Sequence, residues 1–322
     1  MIVTVTLNPT LDKMLSVPRL QPGGLHRAEF VREDLGGKGI NVSRALRALG
    51  ISSTILAFFA GRTGQAMRTG LLAAGFEVRS VELDGETRQN ITLLEEANGQ
   101  YTKINEPGPT AHPHHLAAML TQVAQMAGPG DLWAFCGSLP PGAPPGYYAS
   151  LIRVVQRQGG RACLDTSGPA FREGVGAGPF AIKPNSDEAA EYVGHPLGGE
   201  AEHCAAVRHL QNRGVRLVAL TRGAQGLVLG MDEALLLATP PAATVRSPVG
   251  AGDAALAGLI WAVGDGCGPL ETARRVVACG TAAAMQEGTG VGDRALAERL
   301  LGQVSVRRPS ALPDDQGASD YN

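Results

Sequence analysis

The order of apolar and helical segments in this sequence predicts an α/β fold: a doubly wound, mostly parallel central sheet with helices on both faces and a small antiparallel β lid. Three observations lead there. Short β-rich apolar runs alternate with helical patterns through most of the chain, the signature of parallel strands joined by crossover helices. Polar turns rich in glycine or proline follow several of those runs, where ligands bind in open α/β sheets. One region departs from the alternation, and it carries Asn98-Gly99 between two alternating stretches, a strong hairpin signal.

Residues 2–7 read as the first strand, followed by the polar turn Asn8-Pro9-Thr10-Leu11-Asp12. Residues 16–31 break the pattern and, with 88–105, are assigned to the lid, where 90–95 and 100–104 pair across Glu96-Ala97-Asn98-Gly99. Gly36-Gly37-Lys38-Gly39-Ile40-Asn41 leads into a helix over 41–49, with a strand at 54–59 and a helix at 65–74 beyond it. A helix at 116–127, a strand at 132–136, a helix at 146–158 and strands at 162–165 and 180–182 come next. Helices at 187–193 and 201–213, a strand at 217–221, an apolar helix at 254–263 and a last helix at 293–302 complete the order. Residues 1–302 are expected to form a single domain. Residues 303–322, rich in Pro, Asp, Gly and Ser, are expected to be a disordered tail.

Composition removes several classes of function. A net charge of −2 with no Lys/Arg run leaves nothing to hold a nucleic-acid backbone. The longest apolar stretch, 254–263, is too short to span a bilayer, and the N-terminus opens directly on a strand without a signal-like region, so no membrane is expected and the location expected is the cytoplasm. Five scattered cysteines with no CxxC spacing read as reduced packing residues without a structural zinc. Glycine supplies 43 of 322 residues, roughly twice average usage. These glycines gather at the ends of apolar runs, as turns that approach a small ligand.

Pro248-Val249-Gly250-Ala251-Gly252-Asp253 is the most informative stretch. Two glycines at a helix start let successive free N–H groups converge on an anion, and an acid beside them suits proton removal from a hydroxyl that attacks phosphorus. The alternative is that Asp253 caps the helix. Gly250-x-Gly252-x-x-Ala255 also matches the dinucleotide fingerprint formally, which makes a nicotinamide-dependent oxidoreductase the distant alternative; Asp265 lies too close for the acid that fingerprint wants about 20 residues on. Gly36-Gly37-Lys38-Gly39 fails as a P-loop because Gly39 stands where Ser or Thr must hold magnesium; a glycine turn with a cation and the amide of Asn41 remains. Arg88 and Asn90, two apart on a strand, share a face on which they are able to hold a phosphate or a sugar hydroxyl. Ser138, Lys183, Asn185 and Thr221 follow strands at equivalent ends. His112, His114 and His115, separated by proline at a helix start, read as solvated side chains, not metal ligands.

In order, the motifs Asn8-Pro9-x-x-Asp12, Gly36-Gly37-Lys38-Gly39-x-Asn41, Thr87-Arg88-x-Asn90, Asn105-Glu106-Pro107-Gly108, Gly137-Ser138-Leu139-Pro140, Lys183-Pro184-Asn185-x-x-Glu188 and Val249-Gly250-Ala251-Gly252-Asp253 resemble the PfkB (ribokinase-like) carbohydrate kinases over nearly the whole chain. Within that family they resemble the branch of 1-phosphofructokinases and tagatose-6-phosphate kinases, and Gly23-Gly24-Leu25-His26-Arg27 is similar to a segment of the 1-phosphofructokinases. The resemblance implies a ribokinase-like fold and ATP-dependent phosphorylation of a ketohexose phosphate, with fructose 1-phosphate to fructose 1,6-bisphosphate the leading reaction; tagatose-6-phosphate kinase or 6-phosphofructokinase activity is the alternative. It implies that Asp253 is the base and that the amides of Gly250, Ala251 and Gly252 form the anion hole. It assigns Asn185 and Glu188 to magnesium through waters, and Lys183, Asn185, Thr221, Arg222, Gly223 and Gly226 to ATP. Asp12, Gly37, Lys38, Asn41, Arg88, Asn90 and Ser138 fall to the sugar phosphate, with Arg27 as an additional phosphate contact. Thr221-Arg222-Gly223 departs from the family's usual Ser-Leu-Gly, and Pro248 from its Ser or Thr. The exposed lid hairpin is expected to pair in a homodimer.

Overall fold

The computed structural model of this protein describes residues 1–310. In chain order its elements are β1 (Ile2–Thr6), β2 (Thr10–Val17), β3 (Glu29–Gly36), α1 (Lys38–Ala48), β4 (Thr54–Ala60), α2 (Gly61–Ala73), β5 (Glu77–Leu83), β6 (Gln89–Glu95), β7 (Gln100–Asn105), α3 (Pro113–Met126), β8 (Leu132–Cys136), α4 (Tyr147–Arg157), β9 (Arg161–Asp165), α5 (Gly168–Val175), β10 (Ala181–Ile182), α6 (Ser186–Val193), α7 (Glu200–Gln211), β11 (Leu217–Thr221), β12 (Leu227–Met231), β13 (Ala234–Thr239), α8 (Ala251–Gly264), α9 (Pro269–Ala284), α10 (Arg294–Leu301) and β14 (Ser305–Arg307).

Ten strands form the central sheet in the order β14-β13-β12-β11-β10-β9-β8-β1-β4-β5. Those from β5 to β11 run parallel, and β12, β13 and β14 continue antiparallel at one edge. β1 pairs with β4 on one side and β8 on the other, so the strand order reverses there, the place where such sheets open a crevice at their carboxyl ends. Val3 and Val5 alternate with Thr4 and Thr6 along β1, which separates two cores. The valines join Trp133, Phe135, Tyr148 and Ile152 on one face. On the other, Thr4 meets Ser43 of α1 at 2.8 Å, and α1, α8 and α9 cover the sheet. Its apolar run buries α8 along almost its whole length, as expected of a helix with no polar face.

The second sheet is the lid, in the order β3-β2-β6-β7. Both outer pairs are antiparallel as expected, and they join through a parallel β2–β6 contact. Its first two strands, however, are Thr10–Val17 and Glu29–Gly36, and most of the expected lid segment 16–31 is the loop between them. The polar residues Asp12, Lys13 and Asp34 interrupt the apolar pattern of these strands, of which Leu11 and Leu35 pack against Ile40, Phe59 and Met67. Asp12 pairs with Asp34 and Asn90 and so stands on a strand, not in the turn expected at 8–12.

Two helix starts also move. Gly37, with φ 122°, is the N-cap of α1, so Asn41 sits one turn inside and caps nothing. Gly250, in the left-handed region at φ 81°, caps α8, which begins at Ala251 and carries Asp253 within its first turn. The capping alternative for Asp253 therefore fails. Within the segment assigned to a tail, Ser305–Arg307 pairs with β13; the rest of that assignment, from residue 311, lies outside the described residues. Among the described residues no helix is long and apolar enough to cross a membrane.

Candidate functional site

The segments that follow β1, β8, β9, β10 and β11 come to one edge of the sheet, and the N-termini of α1 and α8 are aimed at it. Parallel pairing of these strands fixes that edge, since every crossover must return the chain to the opposite side.

At its centre lies Asp165, the last residue of β9 and 1% exposed. Lys38 Nζ donates to its Oδ1 at 2.8 Å, and Lys183 Nζ lies 3.2 Å from its Oδ2. Burial works against the Asp165 carboxylate, but the two lysines more than offset it and hold its pKa below the ordinary value. Burial also works against the Lys38 ammonium; Asp165 and Glu188, the latter 3.8 Å away, reverse the effect and raise it. Sequence reasoning missed Asp165. Its signal was an acid that ends an apolar strand beside other polar strand ends, a position with no purely structural need for charge.

Asp253 is 7% exposed. Burial first, then the Asp165 carboxylate, push its pKa up to about 6, against the pull of Asn41, Lys38 and Lys183. Asn41 Nδ2 donates to Asp253 Oδ2 at 2.9 Å, which leaves Oδ1 as the unengaged oxygen. Asp253 stands in the first turn of α8, whose first amides have no carbonyl four residues back within the helix. The Ala251 N–H reaches only Pro248 O, at 3.4 Å. A Cβ placed on Gly252 would sit 3.6 Å from Lys183 Nζ, so the ammonium lies close to the start of this helix. Free amides at a helix start, with a cation close by and a carboxyl group on the same turn, are an arrangement that suits an anion.

Asn185 and Glu188 form a capping box at the start of α6: Asn185 Oδ1 accepts the Glu188 N–H at 2.8 Å, and Glu188 Oε2 accepts the Asn185 N–H at 2.9 Å. Glu188 Oε1 stays outside that box. It lies 3.8 Å from Lys38 Nζ, and a carboxylate oxygen left free in this way fits a hard divalent cation that keeps most of its waters. Asn185 also bridges to Thr221, whose N–H donates to Pro184 O at 2.9 Å. In the turn after Thr221, Arg222 folds back to Gln225 Oε1 at 2.8 Å, and Gly223 and Gly226 both have positive φ.

A second cluster joins the lid to the body. Asn90 Nδ2 donates to Asp12 Oδ1 at 3.0 Å, and Asp12, Asp34, Asn90 and Asn105 align in one row on one lid face. Burial raises the Asp12 pKa, opposed by Asn90. Arg88 donates to the carbonyls of Asn8, Pro9 and Glu106, and Ser138 Oγ accepts from Asn8. Gly37 brings α1 against β1, since a Cβ there would meet Thr6 Cγ2 at 2.7 Å.

Of the residues singled out from sequence, Arg27 joins neither cluster. It is exposed in the loop between β2 and β3, without a hydrogen bond or ion pair to any described residue. His112 and His114 are exposed as expected, but His115 is 6% exposed and its Nδ1 accepts the His112 N–H at 3.1 Å. The formal dinucleotide fingerprint lacks its context, because α8 follows a loop and not a strand.

The family model described as "pfkB family carbohydrate kinase" matches residues 5–295. The chain is 38% identical to a 1-phosphofructokinase of Xanthomonas campestris over 85% of its own length and 87% of that protein. It is 32% identical to an ATP-dependent 6-phosphofructokinase isozyme 2 of Escherichia coli, over 89% of this chain and 94% of that one. In structure it superposes on phosphofructokinase-2 from Escherichia coli in complex with potassium with a TM-score of 0.89, at 29% identity, covering 94% of this chain and 98% of the other.

Proposed function

This chain belongs to the pfkB family of carbohydrate kinases, and from that premise we propose that it transfers the γ-phosphoryl group of ATP to fructose 1-phosphate, yielding fructose 1,6-bisphosphate and ADP. One observation carries the chemistry: a buried carboxyl group with a single free oxygen, Asp253 Oδ1, stands in the first turn of α8, close to whose start lies the Lys183 ammonium.

In this reading the sugar hydroxyl that attacks phosphorus gives its proton to Asp253 Oδ1 as the new O–P bond forms and the bond to the β-phosphate oxygen breaks. Asn41 holds Oδ2 and so fixes which oxygen receives the proton. The amides of Gly250, Ala251 and Gly252, with Lys183, hold the charge that builds on the transferring group. Lys38 and Lys183, moored to Asp165, keep positive charge at the phosphates. Asn185 and Glu188 hold magnesium through its waters. The metal, when bound, neutralises phosphate charge and orients the nucleotide. Thr221, Arg222, Gly223 and Gly226 form the nucleotide turn, and Asp12, Asn90, Arg88 and Ser138 take the sugar phosphate. Work in the cytoplasm fits such a substrate.

Fructose 1-phosphate ranks first because the 1-phosphofructokinase relative is the more similar of the two named phosphofructokinases; fructose 6-phosphate is the second reading. ADP release measured with fructose 1-phosphate, fructose 6-phosphate and tagatose 6-phosphate tests the order. A higher kcat/KM for fructose 1-phosphate is expected, and a higher value for either other sugar overturns the substrate.

A further inference from the structure

We propose that Asn8 is a positioning residue for the sugar-phosphate pocket: its side-chain amide ties Ser138 to the 106–109 loop and thereby fixes its own backbone carbonyl, which holds Arg88, so that the three form one anion-binding surface. The proposal rests on the sugar-phosphate reading above. Asn8 stands just beyond β1 and is 6% exposed. Its Nδ2 donates to Pro107 O at 3.1 Å and to Ser138 Oγ at 3.4 Å, and its own carbonyl accepts from Arg88 Nη2 at 3.0 Å. Three segments distant from it in sequence meet on this one residue.

Two consequences follow for an anion. Arg88 has five N–H donors, and its three bonds to the carbonyls of Asn8, Pro9 and Glu106 leave two of them, held in a fixed direction, for a phosphate. The hydroxyl of Ser138 accepts from Asn8, so its own hydrogen is left to donate. An aspartate at position 8 would invert this: the carboxylate would accept the Ser138 hydrogen, repel Pro107 O and set negative charge beside the anion. Gly108 closes the junction. Its φ is +94°, and a Cβ there would lie 2.3 Å from Asn8 Oδ1 and 3.4 Å from Arg88 Cδ. That Oδ1 is buried with no hydrogen-bond partner, a cost that fits an amide kept for its donor.

The test compares Asn8→Ala, Asn8→Asp and Gly108→Ala with the parent enzyme, with KM measured separately for ATP and for whichever ketohexose phosphate the parent uses best. The expected sugar-phosphate KM rises about 10-fold for Asn8→Ala and about 100-fold for Asn8→Asp, the size expected for charge-assisted hydrogen bonds, while the ATP KM stays within about twofold. Gly108→Ala, which disturbs the junction from the other side, gives the same split and stands in if Asn8→Asp does not fold. Equal rises in both KM values, a fall in kcat alone, or Asn8→Asp binding sugar phosphate as well as Asn8→Ala overturns the proposal. A parent enzyme that phosphorylates no ketohexose phosphate overturns the functional reading and this inference with it; a parent that prefers fructose 6-phosphate overturns only the choice of substrate.

Discussion

Burial at a helix start sets the proton affinity of Asp253, and its neighbours then trim it. Loss of hydration, and next the charge of Asp165, raise the pKa to about 6, while Asn41 and the two lysines lower it. Below that pH the carboxyl group holds a proton and is unable to accept another, so kcat/KM should fall about tenfold per pH unit on the acid side. Asn41→Ala removes a lowering influence, so its acid limb should lie at higher pH than that of the parent; pH–rate profiles of the two proteins check the direction, and an unmoved limb contradicts the role given to Asn41. Asp253→Asn should lower kcat by ~10²–10⁴-fold with ATP affinity nearly unchanged, as stopped-assay kinetics and calorimetry would show. Asp253 and Asn41 were both legible in the sequence as members of glycine-bearing helix starts. Their contact was not, because 212 residues separate them. Asp165 was missed for the related reason that its meaning comes only from two lysines delivered by other elements.

Close approach of α1 to β1 is what places Lys38 and Asn41. A Cβ on Gly39 would lie 2.5 Å from Thr6 Oγ1 and 2.9 Å from Val5 O, so the helix packs with backbone almost against backbone. Gly39→Ala should therefore push α1 outward and destabilise the fold by about 1–3 kcal/mol, the usual cost of overpacking, as urea denaturation would measure. A stability equal to that of the parent would mean that the strand yields without cost. The alternation of apolar runs identified most central strands and their helices. Boundaries moved where glycine, not a polar side chain, supplies the cap, at Gly37 and Gly250. The strands β2 and β3 escaped notice because polar residues line them.

At the scale of the whole molecule, the lid presents opposite faces. One carries the polar row with Asp12 and Asn90; the other carries Phe30, paired with Leu15, and Ile104, paired with Ile91. Phe30 is 63% exposed and Ile104 52% exposed, apolar surface that suits a second copy of the chain. We propose that the protein is a homodimer joined through the lids. Phe30→Glu with Ile104→Glu should yield a monomer in sedimentation velocity, and a dimer that persists in the double variant would place the interface elsewhere. The sequence by itself determined the α/β class, the polar strand ends and the family, because those are written in local periodicity and in short ordered motifs. Only the tertiary structure decided which of those ends touch: that Asn41 holds Asp253, that Asp165 moors two lysines, and that Asn8 ties Arg88 to Ser138. These are pairings between residues far apart in the chain, and their geometry is set by how parallel strands stack and how closely helices approach them, which no local pattern records.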